Sequence, residues 1–365
     1  MDTNHTLNLS APDVSSLYAT NASCDSISPT EYQKSIIPTL YSCIFILGFL
    51  GNVLVVFVLC RGSARRTVAN TYLVNLALSD LLFLTSLPFW AVYYSLDYNW
   101  VFGTLMCKLC GGLLSLNVYA SIYFITCMSV DRYRAIVHPL SSQSSRSVCR
   151  ARVVSGAIWV IAALSTLPTL VFRETRHLPE LNVTACVILY PDPRWSAALD
   201  LAKNVLAFLM PFVVIATCYG RIAGHLLAAP NHIEQSSAHL DRVLRMVVAV
   251  VTAFFLCWCP FHVLTLVRAL GAFGVQNTCW MEQTLSTLLP LSLCLGFSNS
   301  AINPFLYCFV GNHFREQLWR LYEERAPRLT QKRDSISTRL SSFSRKLSDL
   351  REPGPLETLT QHSGP

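Results

Sequence analysis

Seven stretches of this 365-residue chain carry almost no charge, and each is about as long as a bilayer is thick. Residues 35–60, 109–130, 153–172, 246–267 and 283–312 contain no Asp, Glu, Lys or Arg. Residues 67–96 contain one charge, Asp80, and residues 204–220 contain none and run on backwards past Lys203. Crossing roughly 30 Å of hydrocarbon takes about 20 apolar residues in a helix. A soluble core explains one or two such runs, not seven. Charged residues make up only 13% of the chain, about half the usual ~25%. That leaves too little charge to solvate the two or three soluble domains the length would otherwise suggest, and too much apolar residue for general disorder. The expected fold is an all-α membrane protein, a seven-transmembrane helix bundle over residues 35–312. Residues 1–34 form a polar N-terminal segment without an apolar signal core.

Basic residues orient the spans. With the N-terminus outside, the inner loops and tail hold 21 of the 28 Lys and Arg. Acceptor sequons for N-glycosylation occur at Asn4, Asn8, Asn21 and Asn182, all on the side this rule places outside. The expected location is therefore the cell membrane, with an extracellular N-terminus and a cytoplasmic C-terminus.

Of the 14 cysteines, Cys43, Cys60, Cys110, Cys127, Cys149, Cys218, Cys257, Cys259, Cys294 and Cys308 lie in spans or inner loops and read as small buried thiols. Cys24, Cys107, Cys186 and Cys279 fall outside, where an even number implies two disulfides. Sequence alone allows three pairings. A Cys107–Cys186 bond would pin the long outer loop over the bundle mouth, and Cys24–Cys279 would then tie the N-terminus to the last outer loop. That is the expected pairing. No Cys/His set has metal-ligand spacing.

Asp80 reads as the only acid deep within a span. An intramembrane carboxylate is costly and usually functional. No basic residue lies at its depth, and its expected neighbours are Asn52, Asn117, Ser121, Asn299 and Asn303. Neutral oxygens around an acid suit a small cation such as sodium, or a proton. Pro260 in the sixth span, beside Trp258, and Pro304 in the seventh remove backbone hydrogen bonds and kink their helices. Pro88, Pro168 and Pro211 add further breaks. Kinked helices allow two packings, which a switch requires. Asp131-Arg132-Tyr133 closes the inner end of the third span. Arg173 and Lys203 bracket the outer halves of the fourth and fifth spans. Two cations in an apolar, aromatic cavity favour an anionic ligand group such as a peptide C-terminal carboxylate.

The ordered set Gly51-Asn52-Val53-Leu54-Val55, Leu76-Ala77-Leu78-Ser79-Asp80, Cys107, Asp131-Arg132-Tyr133, Trp159, Pro211 with Tyr219, Phe254 with Cys257-Trp258-Cys259-Pro260, and Asn303-Pro304-Phe305-Leu306-Tyr307 resembles the rhodopsin-like (class A) G-protein-coupled receptors. The strings IYFITCMSVDRY at 122–133, PFHVLT at 260–265 and NPFLYCFVGN at 303–312 are similar to peptide receptors of the angiotensin group. That resemblance implies a receptor for angiotensin II or a related peptide, or, in a divergent paralogue, for a bradykinin-, apelin- or chemokine-like one. It implies ligand contacts from Tyr41, Trp90, Tyr93, Leu114, Arg173, Lys203 and His262. Arg132 would meet a heterotrimeric G protein, flanked by Asp131 and Tyr133, with Tyr219 and Tyr307 swinging to support it. Trp258, Phe254 and the kinks at Pro260 and Asn303-Pro304 would transmit ligand contact. Asp80, with Asn117, Ser121, Asn299 and Asn303, would hold an allosteric sodium ion, and no other cofactor is expected. In that group aspartates normally stand where this chain has Arg268 and Ser286. A cation at Arg268 should repel a ligand arginine, and Glu282, one turn from Ser286, is the candidate substitute.

Residues 313–326 read as a short amphipathic helix on the inner leaflet, with Phe314, Leu318 and Leu321 on one face. Residues 327–365 read as a disordered tail. Its serines, from Ser335 to Ser348, suit receptor kinases and arrestin-type partners. A transporter or channel is disfavoured, since there is no internal repeat and only one deep acid, and a retinal pump would need a lysine that the last span lacks. An enzyme is disfavoured because the nine histidines are scattered. Beyond the bilayer and the protein partners, no nucleic acid is expected.

Overall fold

The computed structural model describes residues 31–61, 67–139, 147–179, 182–228, 237–272 and 279–310, with Phe314, Leu318 and Trp319. Seven helical spans are long and apolar enough to cross a membrane: Gln33–Arg61, Val68–Ser95, Gly103–Val137, Val148–Phe172, Arg194–Leu226, Leu244–Gly271 and Gln283–Cys308. They coincide with the seven uncharged runs, and the first, third, fourth, fifth and sixth are longer than their runs, most of all the third and fifth. The third, at 35 residues, measures about 52 Å by helical rise. It therefore carries Lys108 at one end and Asp131, Arg132 and Arg134 at the other beyond the hydrocarbon. The fifth begins ten residues before Asn204 and so contains Asp200, which is buried. Asp80 is thus not the only buried acid within a span.

The burial pattern is inverted relative to a water-soluble protein. Leu50, Val153, Val171 and Leu256 are each about two-thirds exposed, whereas Asn52, Asp80 and Asn303 are fully buried. An apolar surface of this extent fits lipid, not water. Four of the expected buried thiols, Cys43, Cys60, Cys149 and Cys259, share that outward surface, and Cys127 and Cys308 are only partly covered. A thiol is apolar enough to face lipid as readily as a core.

Local chemistry sets the helix ends. Thr67 and Ser147 cap the second and fourth spans, each hydroxyl accepting from the backbone N–H three residues on at 3.1 Å. Asp192 does the same for the fifth through Arg194 N, at 2.7 Å, with Pro193 in the first turn. The second span breaks into Val68–Leu84 and Leu87–Ser95. Pro88 cannot donate to the preceding turn, and Ser86 Oγ folds back onto the Phe83 carbonyl at 2.7 Å.

Over the outer mouth lies a hairpin, β1 (Arg173–Leu178) and β2 (Val183–Ile188), antiparallel with Thr175 opposite Cys186. The Cys107–Cys186 disulfide joins it to the start of the third span. Trp100 N donates to Thr184 O at 2.6 Å, and Thr184 N donates to Asn99 Oδ1 at 3.0 Å. The hairpin is thus fixed along β2. Asn182 is exposed, with φ of 50°, a left-handed conformation that asparagine tolerates better than most residues. The sequons at Asn4, Asn8 and Asn21, the Cys24–Cys279 pairing, the tail and most of the expected amphipathic helix lie outside the described residues.

Candidate functional site

Beneath the hairpin, a cavity is floored by Trp258 and walled by Leu114, Tyr119, Arg173, Lys203 and Phe261. Arg173 follows directly on the fourth span, where the chain leaves the helix for β1. Its guanidinium lies 5.1 Å from the centre of the Trp90 ring, a cation–π contact, and Nη1 is 3.5 Å from Cys186 Sγ. Gly111 makes this possible, because a Cβ there would collide with the arginine side chain. Lys203 projects from the fifth span with its amine 5.8 Å from the Phe261 ring centre. None of the described lining residues is acidic.

Of the seven residues expected to touch ligand, Leu114, Arg173 and Lys203 line this cavity and Trp90 supports Arg173. The other three stand behind the wall. Tyr41 packs against Tyr94 and Phe297, at 5.7 and 5.4 Å between centroids. Tyr93 sits among Trp90, Tyr94, Tyr98 and Trp100. His262 is buried between the fifth and sixth spans, with Nδ1 3.1 Å from Asn204 Oδ1 and its ring stacked on Phe208 at 4.6 Å. The fifth span is widened there into a π-turn, Val205–Leu209, which no sequence period announces.

The wall between the fifth and sixth spans corrects one expectation. Arg268 is not an open cation: its Nη2 donates to Asp200 Oδ2 at 2.6 Å. Asp200 Oδ1 is also 3.6 Å from Lys203 Nζ. Ser286 is buried and turns its hydroxyl onto the Gln283 carbonyl at 2.9 Å. The Glu282 side chain lies outside the described residues.

Below the cavity, Trp258 leads to Phe254 at 6.3 Å between ring centroids. The indole fits only because residue 296 is glycine: a Cβ there would come within 2.8 Å of the ring. Deeper still, Asp80 gathers four donors. Oδ1 accepts from Asn117 Nδ2 at 2.9 Å, Ser300 Oγ at 2.8 Å and Ser121 Oγ at 3.4 Å, and Oδ2 accepts from Asn303 Nδ2 at 3.2 Å. Ser79 joins through Ser121 at 3.1 Å. Ser300 therefore takes the place expected for Asn299, whose Oδ1 is buried without a hydrogen bond. On a helix one residue is a rotation of about 100°, enough to aim the wrong side chain.

Asn52, expected beside Asp80, serves a different bond. Its Nδ2 donates to Gly48 O and to Ser300 O, both at 2.9 Å. Ser300 is four residues before Pro304, so its carbonyl is the one that proline leaves without an N–H. The first span thus supplies the hydrogen bond that the kinked seventh span has lost. Gly51 lets the two approach, since a Cβ there would lie 2.8 Å from Pro304.

At the inner end, Arg132 Nη2 pairs with Asp131 Oδ2 at 2.5 Å, with both side chains more than nine-tenths buried. Tyr133 hydrogen bonds His138 at 3.1 Å. No hydrogen bond joins Arg132 to Tyr219 or Tyr307 in this packing. Asn303, Pro304 and Tyr307 lie on the kinked stretch of the seventh span, and Pro260 lies within the sixth.

Comparison with known proteins adds the family. The model of the 7 transmembrane receptor (rhodopsin family) matches residues 51–307. The chain is 45% identical over 322 residues to the human type-2 angiotensin II receptor, covering 87% of this chain and 88% of the relative. It is 44% identical to the rat (Rattus norvegicus) type-2 receptor over the same spans. It is 37% identical to the Xenopus laevis type-1 angiotensin II receptor B over 344 residues, 94% of each chain.

The Asn52–Ser300 bond yields a test. Asn52→Leu should cost about 1–3 kcal/mol, the penalty for a buried carbonyl left without a donor. With Pro304→Ala also present, the helix supplies its own N–H to Ser300 and the cost should shrink. Thermal denaturation of the four purified receptors measures it, and equal costs in both backgrounds would contradict the assignment.

Proposed function

The chain belongs to the rhodopsin family of seven-transmembrane receptors, and on that premise we propose that it is a peptide receptor of the angiotensin kind, gripping the anionic end of an extracellular peptide between Arg173 and Lys203. It is a multi-pass membrane signalling protein that couples to G proteins, and not an enzyme. The observation that carries the ligand reading is the cavity with two cations and no acid in its described lining. A guanidinium and an ammonium in a largely apolar setting bind a carboxylate strongly, because little water competes.

The peptide would bind more tightly in a second packing and shift the population toward it. Trp258 and Phe254 carry the contact inward, the kinks at Pro260 and Pro304 absorb the movement, and release of Arg132 from Asp131 exposes a cation to the G protein. Tyr219 and Tyr307 then become its supports. The N-terminus lies outside, and the serines of the tail serve receptor kinases and arrestin. Tyr41, Tyr93 and His262 shape the cavity wall from behind, and His262 stays joined to the fifth span through Asn204.

The Asp80 cluster fits an allosteric sodium ion. Its donors are a carboxylate and hydroxyls, oxygens that suit a hard cation. The Oδ1 atoms of Asn299 and Asn303 are buried acceptors without hydrogen bonds. Asp80, Ser121, Ser300 and Asn303 would hold the ion, whose charge would offset the carboxylate where no basic side chain does.

Lys203→Gln should weaken a free-acid peptide such as angiotensin II about tenfold or more, a charge-assisted hydrogen bond being worth about 1.5–3 kcal/mol, and should barely alter its C-terminal amide. Competition binding on membranes measures both, and equal losses would remove the carboxylate role. Asp80→Asn should abolish any sodium dependence of peptide affinity, and a persisting sodium effect would defeat that site.

A further inference from the structure

We infer that Asp200 and Arg268 determine specificity: the receptor's own guanidinium occupies the one buried carboxylate of the fifth- and sixth-span wall, and so closes that carboxylate to basic side chains of the ligand. This rests on the peptide reading above and deepens it.

Asp200 lies three residues before Lys203 on the same helix, so about 4.5 Å further out along the axis. A ligand whose anionic end meets Lys203 therefore passes close to Asp200. The carboxylate is 7% exposed, its Oδ2 is 2.6 Å from Arg268 Nη2, and its Oδ1 is 3.6 Å from Lys203 Nζ. The first distance is a charge-assisted hydrogen bond, while the second is longer than one. Arg268 is the true partner, and Lys203 keeps its three donors for the cavity. Arg268 itself is absent from the lining, and its Nε has no hydrogen-bond partner. The arginine is drawn sideways onto the fifth span and does not point at ligand.

The pair has two consequences of opposite sign. While it is intact, the pair itself presents neither an open acid to attract a ligand arginine nor an open cation to repel one. Removing Arg268 leaves a guanidinium-shaped space beside a buried carboxylate, which a ligand arginine fills. Removing the charge of Asp200 releases Arg268, which then repels the same arginine.

The test compares two probes, angiotensin II and its analogue with citrulline, a neutral isostere, in place of arginine. They are bound to membranes bearing the full-length wild type, Arg268→Ala, Asp200→Asn and the double variant, each at measured surface level. Arg268→Ala should shift the affinity ratio about tenfold toward the arginine peptide. Asp200→Asn should shift it several-fold toward citrulline, and the double variant should return it to the wild-type value. Asp200→Asn leaves the unpaired charge on Arg268, whose side chain is 23% exposed and not fully buried like the carboxylate, so it tests the idea even if Arg268→Ala fails to reach the surface. One ratio across all receptors that bind would overturn this inference alone. Failure of both peptides to bind any chain, wild type included, would overturn the peptide reading and this inference with it.

Discussion

A polar group in this bundle can find a partner only inside the protein, because the surface around it is hydrocarbon-facing and offers none. The bond from Asn52 to the Ser300 carbonyl shows what that demands. Pro304 creates a kink and strands a carbonyl, and a side chain from another helix satisfies it at 2.9 Å. Kink and compensation come as a pair. The same logic collects Asn117, Ser121, Ser300 and Asn303 on Asp80, tying the second, third and seventh spans at one depth. A hydrogen-bond centre of this kind holds the helices in register yet can be rearranged, since hydroxyls and amides exchange partners more easily than packed apolar side chains do.

The outer cavity and the inner arginine are joined by contacts that depend on small residues as much as large ones. Gly111 admits Arg173, and Gly296 admits Trp258. Each glycine is the space for a large side chain from another element, β1 for Arg173 and the sixth span for Trp258. Between cavity and arginine lie Trp258, in contact with Phe254, and the prolines of the sixth and seventh spans, which we propose relay ligand contact inward. At the inner end Arg132 is held by the neighbouring Asp131, so the guanidinium proposed to meet the G protein is restrained in this packing.

The architecture was legible because lipid imposes a length and forbids charge, and gaps between charged residues report both. The third and fifth uncharged runs fall short of their helices, because those helix ends extend past the hydrocarbon and tolerate Lys108, Asp131 and Asp200. The Cys107–Cys186 bond was among three pairings open to the sequence. Side-chain direction was less legible. Asn299 and Ser300 are adjacent in sequence but point about 100° apart, and only the helix's rotation decides which meets Asp80. The π-turn at Val205–Leu209 left no signature, although it lies beside the Asn204–His262 contact. Arg268 looked like a bare cation because its partner sits on another helix, 68 residues away.

The central claim is that this bundle converts peptide binding in the outer cavity into exposure of Arg132. Guanine-nucleotide exchange on a purified heterotrimeric G protein, with receptor in lipid nanodiscs and saturating angiotensin II, measures it directly. The account requires the wild type to accelerate exchange on peptide addition, and Arg132→Ala to bind the peptide yet leave exchange at its basal rate. Equal acceleration by both chains, or none by a wild type carrying bound peptide across the G-protein classes, would contradict it.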